Sequence, residues 1–594
     1  LIGPALVMTL LAIYPVAKLR VMRGHEWKGS FAYLQGDELI YASYVNSLRT
    51  GRPRENNPYL AETGVALGES AYSIQFLPPY AIATMARWFG LSTSAAFAVL
   101  LMIVAFASSL VLYWLIVSVT DDERLAATGV LFVLCLGSVP TLWGLLQILR
   151  GLPPDFSHLR FLRRFAPAAA FPFFFAFCAL VWRMLTTPKQ DRASRSSLLA
   201  GATFGILVFS YFYCWTAALA WLVCLALLWL LFRPAGWQSK LKLFGLMTLP
   251  MTAAFIFYGW LLTERAPNQI AVTILAHTHK PDLLRVPLLI SIILLLLLLV
   301  LSRAGRFNFR SPASLFATSF LFLPFLSFNQ QIVTGLSMQP THYEVFVANY
   351  CILLAIVLIA GVLFANFRGT NLRTAALVVT AMVAVGWGSF EVAGSTAKFA
   401  AAFITRDEAT PVALRLVELG DGATNGSVPT DQVILATDPI VADYLPTISP
   451  QPLLWAPHMY GFAGITPAED QRRLLAFLYY TGVKFDGGTA ARYEGLDAVS
   501  KFYFSNLLGR SRTDRSLSNT WQPVRPEEYE KAQRAYADFI ASFDRDTASR
   551  PTLTFVLTES DRAVDLANLD RWYERDQGEQ IGKFILYRVT LRPK

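Results

Sequence analysis

The chain has 594 residues, of which 54% are hydrophobic and only 15% charged, with a mean hydropathy of +0.43, and this excludes a single soluble core of average composition. Its net charge of +10 comes from Lys and Arg scattered through short loops rather than gathered in one basic domain, which argues against a nucleic-acid protein. All five cysteines (Cys135, Cys178, Cys214, Cys224, Cys351) fall inside apolar runs, so no disulfide framework holds the polar regions.

Apolar runs lie near residues 1 to 19, 94 to 119, 124 to 149, 167 to 186, 198 to 213, 215 to 232, 242 to 263, 284 to 303, 313 to 328, 346 to 366 and 374 to 391. They make about eleven expected spans, each crossing ~30 Å of hydrocarbon as a helix. The first is expected to be retained, since no small-residue cleavage site follows it, and a segment is expected to precede Leu1. Phe76 to Gly90 holds Pro78, Pro79 and Arg87 and reads as an interfacial helix rather than a twelfth span. No charge is expected inside the spans, nor paired broken helices.

The short loops with Lys189, Arg192 and Arg195, with Arg233, Lys240 and Lys242, with Arg303, Arg306 and Arg310, and with Arg368 and Arg373 all fall on one side. The positive-inside rule makes that side cytoplasmic. Loops 20–93, 150–166, 264–283 and 329–345, and everything after about residue 391, are then expected outside, in the manner of a bacterial inner (plasma) membrane protein.

Residues 1–395 are expected to form the transmembrane domain and 396–594 an extracytoplasmic α/β domain. Strand-like runs (Val433 to Ala436, Thr552 to Leu557, Lys583 to Val589) alternate there with helix-like ones (Pro467 to Thr481, Pro526 to Phe543). Asp421 to Thr430 is the candidate linker. No glycine-rich phosphate loop is present, so no nucleotide is assigned.

The first outer loop reads Gln35-Gly36-Asp37-Glu38-Leu39-Ile40-Tyr41-Ala42-Ser43-Tyr44 and continues to Gly51-Arg52-Pro53-Arg54-Glu55-Asn56-Asn57-Pro58-Tyr59. Two adjacent acids just outside a first span also suit the start of a helix. This stretch resembles the GT-C glycosyltransferases, multispan enzymes that use polyprenyl-phosphate-linked sugars and carry an acidic residue early in the first external loop. The resemblance implies a GT-C-like helical membrane domain and an inverting transfer to an extracytoplasmic glycan, lipid or protein acceptor. It also implies Asp37 as general base with Glu38 as neighbour, and Asp155 as a candidate second acid. Position alone makes Asp155 a turn residue after Pro153-Pro154.

The second loop carries Arg150, Arg160, Arg163 and Arg164 among aromatics. Arginines on the outer side oppose the topology rule and point to a negative partner, either the donor's lipid phosphate or membrane head groups. The third loop, His277-Thr278-His279-Lys280-Pro281-Asp282, offers Lys280 to the same phosphate. Its two histidines lack a third ligand for a metal. No cofactor is assigned, and a divalent metal is the only one left open.

The fourth loop sets Gln330, Gln331, His342 and Glu344 at a membrane boundary. Such density is costly unless it lines a cavity or caps the next helix, and these residues, with Tyr41, are candidates for binding substrate. The aromatics of Tyr211 to Trp215 suit stacking on a sugar or prenyl chain, or an interfacial belt. A transporter or lipid flippase is the alternative function, and a partner-binding membrane component a third.

Overall fold

The computed structural model describes residues 2–34, 36–60, 67–152, 159–162, 165–267, 269, 274–365, 370–424, 431–482, 526–562 and 564–593. Among them, nine helices are long and apolar enough to cross a membrane, making this an integral multi-pass membrane protein. The nine are α1 (Ile2–Arg23), α4 (Thr93–Thr120), α6 (Phe165–Thr186), α8 (Phe212–Phe232), α9 (Trp237–Thr263), α10 (Val286–Arg303), α11 (Pro312–Ser327), α12 (Asn349–Leu363, continued backward to Pro340) and α13 (Asn371–Thr424).

Two of the expected runs are built differently. The run at 124–149 is interrupted: α5 (Glu123–Cys135) stops, a 3-10 turn follows at Val139–Thr141, and a short helix takes Trp143–Leu149. The run at 198–213 belongs to α7 (Gln190–Val208), whose first turns are charged, so its apolar stretch is short. Among the outer elements, α2 (Gly36–Arg49) and α3 (Leu77–Phe89) precede α4. At 13 residues, α3 is about 20 Å long, too short to cross.

Local chemistry sets the turns. Helix α4 ends with Asp121 in the left-handed conformation, and Asp122 caps α5 by accepting from the Leu125 N–H. Asp122 also pairs with Arg373 at 2.6 Å, joining two of the loops expected on the basic side. Lys240 donates to the Thr187 carbonyl at 2.9 Å, joining two more.

The loops expected on the other side also meet one another. Strands β1 (Ala276–His277) and β2 (Leu336–Ser337) pair antiparallel across the third and fourth loops. The backbones of Glu69 and Arg265 form a bridge between the first and third loops, and the Phe161 N–H of the second loop donates to the hydroxyl of Tyr350 at the start of α12, at 2.9 Å.

Helix α13 runs through residues 395 and 396 without a break and carries the chain into a sheet domain. Strand β3 (Val433–Ala436) is parallel to β4 (Leu553–Glu559), and β4 is antiparallel to β7 (Phe584–Leu591). Strands β5 (Tyr573–Arg575) and β6 (Glu579–Ile581) both pair with β7. Helices α14 (Pro439–Tyr444), α15 (Pro467–Tyr480) and α16 (Pro526–Ala541) complete it.

Along β3, Ile434 and Ala436 face one core while Val433 and Leu435 face another, as a strand's two-residue period requires. The first core is continuous with the membrane helices and with α2 through Tyr44, Tyr59, Tyr444 and Phe462. The sheet domain is thus seated on the first loop by shared apolar burial, reinforced where the Leu453 N–H donates to the Tyr59 carbonyl.

Candidate active site

Helix α2 begins at Gly36, so Asp37 and Glu38 occupy its first turn, where acids are favoured by the unpaired N–H groups. Adjacent helical positions diverge by about 100°, and the two carboxylates meet different surroundings. Glu38 is buried and accepts from the Leu34 N–H at 2.7 Å, holding the chain as it enters the helix. Asp37 keeps 35% of its side chain exposed.

Asp37 does not stand alone. Its Oδ1 lies 3.7 Å from His458 Nε2, a residue of the C-terminal domain. The other ring nitrogen, Nδ1, donates to Asp443 Oδ2 at 2.6 Å, because an ionised carboxylate only accepts. Asp443, 4% exposed, also accepts from the Tyr59 hydroxyl at 3.2 Å and the His458 N–H at 3.3 Å. Burial, and then the Asp443 carboxylate beside it, hold the Tyr59 phenol well above its usual range, so it stays a donor.

Local sequence explains this placement. Asp438 caps α14 by accepting from the Ile440 and Val441 N–H groups, with Pro439 at the first helical position, and this presents Asp443 one turn later. The Asn57 amide donates to the Met459 and Ala463 carbonyls, pinning the segment that carries His458. Asp407 of α13 accepts from the Lys28 N–H, the Ser30 N–H and hydroxyl, and Arg23 Nε, which fixes the chain leading into α2.

A second polar group gathers where the later loops meet. Glu344 accepts from Arg285 Nη1 at 2.8 Å, and Arg285 Nε donates to Asp282 at 2.5 Å. Arg160, 8% exposed, lies within electrostatic reach of Glu344 and of Glu391 in α13. Its buried Nε has no hydrogen-bond partner among the described residues. Asp155, Arg163 and Arg164 lie outside the described residues.

His342 packs edge-on against Tyr213, with ring centroids 4.6 Å apart, and its Nδ1 lies 3.4 Å from the Tyr211 hydroxyl. Gln330 donates to the Tyr343 hydroxyl at 3.2 Å, and Gln331 is buried and donates to the Lys280 carbonyl at 3.2 Å. Lys280 itself is exposed. One turn after Asp37 on α2, Tyr41 contacts Tyr72 and also Phe165, the residue that follows the basic loop.

The expectation of no charge in the spans fails at Glu391, which is 1% exposed and accepts from the Ser138 hydroxyl at 2.8 Å. It falls at the end of its apolar run, and α13 simply continues past it. Ser138 comes from the interruption after α5, where the freed backbone also meets Asn349 through the Gly137 carbonyl. Broken helix and buried acid therefore occur together.

No protein-family model and no curated protein matches the chain. Among solved structures it is similar to ArnT from Cupriavidus metallidurans bound to undecaprenyl phosphate, at 12% identity over 97% of each chain with a TM-score of 0.43. It is also similar to the Archaeoglobus fulgidus oligosaccharyltransferase tethered with an acceptor peptide, at 13% identity over 99% of this chain and 73% of that one, TM-score 0.44. The archaeal oligosaccharyltransferase AglB from the same organism, in complex with an inhibitory peptide and a dolichol-phosphate, gives 12% identity over 94% and 69%, TM-score 0.45. At such identities and TM-scores these likenesses carry no argument about the chemistry, which has to come from the residues themselves.

The sequence reading missed His458 and Asp443. Their one local signal is Trp455-Ala456-Pro457-His458-Met459-Tyr460, an aromatic, Pro-containing stretch around one of only six histidines in the chain. Among the described residues, no group of three or more His, Cys, Asp or Glu side chains gathers as a metal site.

Proposed function

We propose that this protein is an inverting glycosyltransferase that moves a sugar from a polyprenyl-phosphate donor to an extracytoplasmic glycan, lipid or protein acceptor. The observation that carries the reading is the junction of Tyr41 and Phe165, with ring centroids 5.7 Å apart. It sets the helix that carries the exposed acid against the first residue after the arginine loop, which supports a reading of Asp37 as base and of that loop as the holder of the donor's phosphate. The resemblance of the first loop to the GT-C enzymes agrees with it.

In this mechanism Asp37 takes the proton of the acceptor hydroxyl or amine as its electron pair bonds to the anomeric carbon. The bond from that carbon to the lipid phosphate breaks, and the phosphate leaves with the electron pair. A general base of this kind contributes roughly 10²–10⁴-fold. Arg160, with Arg163, Arg164 and Lys280, would hold the phosphate, arginine's planar fork suiting its oxygens. Gln330, Gln331, His342 and Glu344 would border the substrate.

The test is transfer in proteoliposomes with radiolabelled polyprenyl-phosphate sugars and a cell-envelope acceptor extract, comparing wild type with Asp37→Asn. Loss of transfer is expected, and equal transfer would remove Asp37 from the mechanism. A lipid-transport reading draws on Glu391 and the break after α5, since buried intramembrane acids and broken helices mark substrate paths. Movement of labelled donor across the bilayer without transfer would favour it.

A further inference from the structure

The geometry points to a working part of the site supplied by the C-terminal domain. His458, clamped by Asp443 and seated on Gly36, is a positioning residue that acts through Asp37, standing ready at the head of α2 to take over the proton Asp37 removes. This rests on Asp37 being the base.

Two contacts fix the ring. Asp443 holds Nδ1 at 2.6 Å, and Asp443 is itself held by Tyr59 and by the His458 N–H. On the opposite side the ring lies against Gly36, where a Cβ would come to 2.6 Å from Cε1 and 3.3 Å from Nε2. With Nδ1 carrying its hydrogen toward Asp443, the neutral ring turns the Nε2 lone pair toward Asp37. Nε2 and the Asp37 carboxylate stand 3.7 Å apart, just beyond hydrogen-bond range. A proton arriving on Asp37 makes its carboxyl a donor toward Nε2, and a small closing of the gap completes the contact.

The proton balance is complete. The acceptor's O–H or N–H bond breaks as its heavy atom bonds to the sugar, and the lipid phosphate departs with the electrons of the old bond. The proton passes from Asp37 to Nε2, giving an imidazolium flanked by two carboxylates, and then to water. Among the described residues, the charged and titratable groups placed beside the ring or its Asp443 partner include Asp37 from α2, Asp443 from α14 and Tyr59 from the first loop. Arg406 of α13 lies within electrostatic reach of Asp443 and Glu38. The arrangement gives the C-terminal domain a chemical reason to be docked on the first loop.

The experiment compares wild type, Asp37→Asn, His458→Asn, His458→Gly and Gly36→Ala in the transfer assay across pH 5.5 to 9, with undecaprenyl phosphate binding and a thermal melt as checks on folding. His458→Asn keeps a donor for Asp443 but cannot reach Asp37. It should lower kcat roughly 10–100-fold with the donor KM within about twofold, and move the low-pH limb of kcat upward. Millimolar imidazole should restore part of the activity of His458→Gly, which a purely structural role would not allow. Gly36→Ala, which keeps both Asp37 and His458 but must displace the ring, should reproduce the loss of kcat. Wild-type kcat and pH profile in His458→Asn and Gly36→Ala, beside an inactive Asp37→Asn, would overturn this inference and leave the proposed function standing. An active Asp37→Asn, or no transfer by the wild type, would overturn the proposed function itself.

Discussion

His458 rests on Gly36: the imidazole occupies the space that any larger residue at the head of α2 would fill, its Cε1 standing 2.6 Å from where a Cβ would lie. Overpacking of this kind costs about 1–3 kcal/mol. Gly36→Ala should therefore destabilise the protein by that amount in a thermal melt, and the cost should shrink sharply in a His458→Ala background. The two changes act on one contact and should not add.

Asp407 collects four donors from the segment that leads into α2. Removing the carboxylate leaves Arg23 without this partner and the Lys28 and Ser30 N–H groups unsatisfied. Asp407→Ala should cost about 3–5 kcal/mol, and hydrogen exchange at residues 24–34 should rise before exchange elsewhere does.

Arg160 offers a buried, unpartnered Nε. If it holds the donor's phosphate, Arg160→Gln forfeits a charge-assisted hydrogen bond of about 1.5–3 kcal/mol. The donor KM should rise roughly 10–100-fold with kcat little changed. Arg285→Gln should instead lower the melting temperature, because Arg285 is already committed to Asp282 and Glu344.

Asp470, buried at the start of α15, has its carboxyl pushed up to about 7, chiefly by loss of water, with Arg473 opposing the shift. A carboxyl raised in the folded state contributes stability that is fully present below its unfolded value near 4 and is lost as pH rises through about 7. Asp470→Asn should therefore stabilise the protein at pH 8 by on the order of 4 kcal/mol, read as a raised melting temperature, with the gain vanishing toward pH 4.

All five cysteines are buried, so single introduced cysteines report sidedness cleanly. In intact spheroplasts a membrane-impermeant maleimide should label Lys280→Cys and spare Arg306→Cys, both positions being exposed. The reverse pattern would put Asp37 in the cytoplasm and end the glycosyl-transfer reading.

The sequence by itself determined that the chain is a multi-pass membrane protein, where most of its span-length helices lie, and that strands at Val433, Leu553 and Phe584 form a separate sheet. These properties are local: hydropathy and loop charge act residue by residue, and a strand's alternation is written within a few positions. The helix that carries Asp37 in its first turn was legible for the same reason, whereas the role proposed for that acid came from the resemblance. Tertiary structure alone decided that Asp443 and His458 come from the far end of the chain to face Asp37. It also decided that Glu38 turns inward to Leu34, and that Glu391 is buried beside a helix break at Ser138. Those pairings depend on how an apolar face of the sheet shares one core with α2 and the membrane helices. A core of that kind is satisfied by shape and burial, which no short window of residues records.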